Sequence, residues 1–124
     1  MKKVLLCALI TGFVAGCYYD NEEELYPKIE KGCDTTGITF STSVQPILQT
    51  NCYGCHSVKD NAALGGNMNL EDFTSLKQAV VEGLFYLSII HDPQHAWMPK
   101  DGAKLDTCSI TKIKIWIDKG APNN

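Results

Sequence analysis

Arginine is absent from all 124 residues. Positive charge rests on 11 lysines against 14 carboxylates, a net charge of −3 with histidine neutral. A nucleic-acid binder displaces counterions with a basic patch, and this composition offers none, so that class is excluded. Also missing is an apolar run long enough to span a bilayer, which takes about 20 residues. There is no internal repeat, no βαβ pattern around any cysteine pair, and no low-complexity tract beyond one acidic stretch near the N-terminus. The length, with ordinary apolar and charged fractions, allows one compact domain and hardly two.

The chain opens "MKKVLLCALITGFVAGC", with Lys2 and Lys3 ahead of an apolar run that ends in small residues. That is the layout of a secretory signal. Its end, "VAGC", resembles the lipobox of bacterial lipoproteins, in which the signal is cut before the cysteine and the cysteine is lipidated. The resemblance implies a signal over residues 1–16 and an acylated Cys17 as the first mature residue. The alternative is a plain signal cut near Ala15 that leaves Cys17 a free thiol. Several acyl chains would anchor the protein to a membrane without spanning it. Loss of Lys2 and Lys3 leaves 9 lysines against 14 acids, a net −5.

Residues 17–32, "CYYDNEEELYPKIEKG", are acidic and lack periodicity, so they read as a flexible tether. Fully extended, it reaches at most about 50 Å from the membrane. An acidic stretch just behind a lipidated cysteine resembles the surface-display signal of some Gram-negative bacteria; a solvated spacer is the alternative. The expected location is therefore exported and lipid-anchored to a bacterial membrane, the outer one, on its periplasmic or surface face.

The folded domain is expected over 33–124. In "FSTSVQPILQTNC", Val44, Ile47 and Leu48 recur at helical spacing, with Ser41 or Ser43 as N-cap and Pro46 in the first turn. A second helix is expected from Asn69 as cap, with Glu71 and Asp72 in its first turn and Leu70, Phe73, Leu76 and Val80 on one side. "LFYLSII" reads as a short helix because no partner strand is in sight. The last helix has Asp106 or Thr107 as cap, Ile110, Ile113 and Ile117 on one face with Trp116 beside it, and Gly120 and Pro122 as stop signals.

Residues 51–56 read "NCYGCH". Two thiols spaced to meet two vinyl groups, followed at once by an imidazole, form the attachment signature of c-type haem, so Cys52, Cys55 and His56 are accounted for together. A structural zinc needs two further ligands at short spacing, and only the pair His91 and His95 competes, with Pro93 opposing a helical turn between them. In an exported protein Cys33 and Cys108 remain as an even pair, for which a bridge is the economical reading and two separate buried thiols the alternative.

Three stretches, "VQPILQTNCYGCHS", "GGNMNLEDFTSL" and "MPKDGAKLDTCSITKIKIWIDKGAPNN", resemble the single-haem, class I cytochrome c domain, especially its short versions in exported bacterial lipoproteins. The resemblance implies a small all-α cytochrome c fold packed around one covalent haem c per chain, with the first and last helices in contact and Cys33 near Cys108. It also implies thioethers at Cys52 and Cys55, His56 as proximal iron ligand and Met98 of "WMPK" as distal ligand. Met68, or His91 or His95 in a bis-His haem, are the competing distal ligands. Many members orient the proximal imidazole with a proline carbonyl soon after the motif, yet no Pro lies between His56 and Pro93. Another backbone carbonyl must accept that ring N–H. The function expected is electron transfer between redox partner proteins rather than enzymatic catalysis; Lys100 and Lys104, near Met98, either mark the docking edge or are simply solvated surface lysines. The alternative is a haem sensor or peroxidase-like protein in which Met98 dissociates.

Overall fold

A computed structural model describes residues 32–124. The expected signal, Cys17 and the tether up to residue 31 lie outside the described residues. Among the described residues every regular element is helical and there is no strand, so the domain is all-α. None of these helices is long and apolar enough to cross a membrane.

The chain enters through a π turn, Phe40–Val44, that runs directly into α1, Gln45–Asn51. The turn begins earlier than expected and is capped by Thr39, whose hydroxyl accepts from Thr42 N–H at 3.2 Å, not by Ser41 or Ser43. The reason is non-local. The N–H groups of Phe40 and Ser41 donate to the side chain and main chain of Asn124, each at 2.8 Å, so these orphan donors need no cap of their own. Pro46 sits in the first turn of α1, where its missing N–H costs nothing. Val44 and Leu48 are fully buried on the inner face.

One further turn, α2 (Tyr53–His56), carries the cysteine motif. After a loop comes α3 (Phe73–Val81), then α4 (Leu84–Ile89) across a left-handed Gly83, and last α5 (Thr107–Asp118). Asp106 caps α5 as expected, accepting from Ser109 N–H at 2.8 Å. Asn69 does not cap α3. Its Oδ1 accepts from the N–H groups of Glu71 and Asp72 at 3.1 and 3.3 Å, forming a turn ahead of the helix, and Asp72 takes the cap from Ser75 N–H. Leu70 N–H is committed to His56 O at 2.8 Å, which holds this stretch to the motif and delays the helix.

An aromatic triad joins the first and last helical segments of the described chain to α3. Phe40 meets Phe73 edge to face at 5.0 Å and Trp116 at 5.6 Å between ring centroids. Trp116 is fully buried and donates its Nε1–H to Pro122 O at 2.8 Å. Past α5, Gly120 takes the left-handed conformation (φ 86°) that turns the chain back, and Lys77 Nζ donates to the carbonyls of Gly120 and Ala121. Cys33 and Cys108 are bridged across a Cα–Cα distance of 5.6 Å, fastening the segment behind the tether to α5.

Candidate functional site

A cavity of about 760 Å³ opens between the motif, the loop after it, α4 and residues 95–100. That volume is in the usual range for a small-molecule or cofactor site, roughly 300–1,000 Å³. Its wall includes Cys52, Cys55, His56 and Met98 together with the apolar side chains of Leu64, Leu70, Leu84, Phe85 and Ile89. No carboxylate is among the lining residues, and Lys100 is the one lysine.

The local fold accounts for the motif's half of the site. Cys52 caps the C-terminus of α1, its N–H donating to Leu48 O at 2.8 Å, and His56 N–H returns to Cys52 O at 2.9 Å. One helical turn therefore sets Cys52, Cys55 and His56 against a common space. Both thiols are free; Cys52 is half-buried and Cys55 exposed. Burial pushes the Cys52 thiol up to about 11.

His56 Nδ1 lies 2.9 Å from Met68 O. A carbonyl only accepts, so Nδ1 carries a proton, and in the neutral ring this leaves the Nε2 lone pair, the one with which such an imidazole binds a metal. Here is the carbonyl for which no proline is available. It is delivered by the loop after the motif, where Asn61 is the hub: its amide donates to Ser57 O and Val58 O at 2.7 and 3.0 Å, and its carbonyl accepts from Gly65 N–H and Asn67 N–H at 3.0 and 2.9 Å. Gly65 is buried against the motif. A Cβ there would lie 2.5 Å from Cys55 O and 2.9 Å from His56 Nδ1, closer than any side chain allows. Nothing in the sequence pattern singles out Gly65 among the glycines of "LGGN", or the Met68 carbonyl among its neighbours.

Three of the four candidates for distal ligand line the cavity. Met98 lines the cavity. Met68 lines it too and packs against the core, but its carbonyl is bonded to Nδ1, so its backbone sits behind the His56 ring, away from Nε2. His91 is not part of the wall; its Nε2 is taken up by Met98 O at 3.1 Å. His95 does line the cavity, and its Nδ1 faces Asp92 Oδ1 at 2.8 Å. Hydrogen bonds from His95 and from Gln94 N–H hold the Asp92 carboxyl below the usual range. His91 and His95 thus bond to different partners. Among the described residues no three His, Cys, Asp or Glu side chains gather to hold a metal ion by themselves.

Lys100 and Lys104 are both exposed, and only Lys100 reaches the cavity wall. Compared with known protein families, curated proteins and solved structures, the chain matches none.

Proposed function

We propose that this protein is an electron carrier with one covalently attached c-type haem, ligated by His56 and Met98 and tethered to a bacterial membrane through a lipid on Cys17. The observation that carries the reading is the His56 ring: its Nδ1–H is spent on Met68 O inside a cavity that also holds two free thiols and a methionine. That donor set fits the group. Cys52 and Cys55 would hold it by thioether bonds, His56 would offer Nε2, and Met98 its sulfur. Bound haem supplies a reversible one-electron change at iron.

The protein's own contribution is positional and electrostatic. The Met68 carbonyl fixes the His56 tautomer and raises its basicity as a ligand. Leu70, Phe85 and Ile89, all buried or nearly so, keep water from the interior of the site. A thioether from Met98 favours ferrous iron relative to a second imidazole, so the potential is expected toward the high end for haem proteins. If His56 and Met98 both ligated the iron, no coordination site would be left for substrate, which is why transfer of an electron is the function this set supports. Partners are redox proteins suited to an acidic body with a lysine at the cavity rim.

A second reading has one observation in its favour. His95, backed by the Asp92 carboxylate, is a potential acid–base group in the same cavity as Met98. In a sensor or peroxidase-like protein Met98 would leave and an external ligand would enter beside it. Two measurements on protein made with a haem-attachment system decide. Pigment that remains with the chain through denaturing acid–organic extraction supports covalent attachment; extractable or missing haem overturns the proposal. Poor carbon monoxide binding by the reduced protein supports the carrier, and ready binding the sensor.

A further inference from the structure

His91 is held from three directions although it is absent from the cavity wall. Its backbone lies in the left-handed region at φ 61° and ends α4: His91 N–H donates to Ser88 O at 3.2 Å and Asp92 N–H to Leu87 O at 3.0 Å, the bonds of a helix C-terminal cap. Its ring stacks on Trp97 with centroids 5.0 Å apart and planes 7° from parallel. Its Nε2 is 3.1 Å from Met98 O, so this nitrogen carries a proton and donates it. Trp97 is 55% exposed, yet its ring is fixed by Nε1–H donation to Asp92 O at 3.0 Å. On the other side of the same residue, Met98 N–H donates to Ser88 O of α4 at 3.1 Å.

Both peptide groups flanking the Met98 side chain are therefore tied to α4 or to the residues just beyond it. We propose that His91 is a positioning residue: backed by Trp97, its Nε2–H clips the Met98 carbonyl to the end of α4 and so keeps the Met98 sulfur at the haem iron. This rests on the reading of Met98 as distal ligand. A sulfur on a pinned backbone that lets go of a metal has only its own side-chain torsions to explore, and it rebinds quickly. A loosened backbone enlarges the open population, and an external ligand binds at a rate proportional to that population.

The test uses the full chain loaded with haem, reading the weak far-red sulfur-to-iron band of the oxidised protein and its rate of cyanide binding. Met98→Ala should abolish the band and admit cyanide freely. His91→Asn tolerates the left-handed backbone but falls short of the Met98 carbonyl; it should weaken the band and speed cyanide binding by about five- to tenfold, the worth of one hydrogen bond. His91→Gln carries an amide N–H to the position of Nε2 and should restore both toward native. Trp97→Leu, at an exposed site, should give an intermediate rate and carries the test if His91→Asn does not accumulate. If Met98→Ala loses the band while His91→Asn, or Trp97→Leu in its stead, keeps native band and rate, the clip is wrong and the ligand reading stands. If His91→Gln behaves like His91→Asn, the donor is irrelevant and the clip is likewise overturned. A native band in Met98→Ala overturns the ligand reading itself, and the clip with it.

Discussion

Gly65 illustrates how little room the motif leaves behind His56. An added methyl would meet Cys55 O at 2.5 Å and His56 Nδ1 at 2.9 Å, and both are main-chain or tightly bonded atoms with nowhere to move. Gly65→Ala should therefore cost about 1–3 kcal/mol, the usual penalty for overpacking, read as a lower denaturant midpoint at unchanged slope. It should also disturb the His56–Met68 bond, so the haem-loaded variant is expected to show an altered absorption spectrum. Gly66→Ala meets no neighbour within 4 Å, although its φ of 61° adds strain, and should leave the spectrum native while lowering stability modestly. A spectrum equally changed in both variants would count against the close approach at Gly65.

Among the elements, α5 has the clearest energetic signature. Its cap, Asp106, accepts from both the N–H and the hydroxyl of Ser109, at 2.8 and 2.6 Å, and these bonds hold its carboxyl below the ordinary aspartate value of 3.8. A depressed folded-state value means that the unfolded chain binds the proton more readily. The contribution is complete above about 3.8 and is lost as pH falls through the folded value. Asp106→Ala should destabilise by about 1 kcal/mol at neutral pH. Urea unfolding across a pH series should find the gap between variant and native protein closing below 3.8; a constant gap would mean that the carboxylate does not act as the cap. On its inner face α5 buries Ile110, Ile113 and Trp116, which is why a cap at the exposed end changes stability without changing the fold.

At the scale of the whole molecule, the two ends of the described chain are held together. The bridge between Cys33 and Cys108 spans 75 residues, and Asn124 reaches back to Phe40 and Ser41. A cross-link over so long a loop removes much of the unfolded chain's freedom, and replacing both cysteines with alanine should lower unfolding free energy by about 2–4 kcal/mol. The same loss should appear on reduction of the native protein, measured by thermal unfolding with and without reductant. The bridge also sits directly behind the expected tether, so any pull from the membrane would pass into α5 rather than peel the segment before α1. For the anchor itself, Cys17→Ser should release the protein from membranes into the soluble fraction; unchanged membrane association would point to another means of attachment.

Local pattern was enough to read the helical character of the domain and the apolar side of α5, and it narrowed that helix's cap to Asp106 or Thr107, because each depends on side chains a few residues apart. The pairing of Cys33 with Cys108 was legible only as one of two options, since sequence counts thiols and does not measure the distance between them. Tertiary structure alone decided the early start of the first helix, where donors meet Asn124 from the far end of the chain, and the shift of the α3 cap from Asn69 to Asp72, which follows from the tie between Leu70 and His56. It also decided that Met68 gives His56 its carbonyl and that His91 gives Met98 its donor. Every residue carries a backbone carbonyl, so an acceptor of that kind leaves no mark in the order of side chains. It becomes specific only when the folded chain brings one of them within reach of a particular ring.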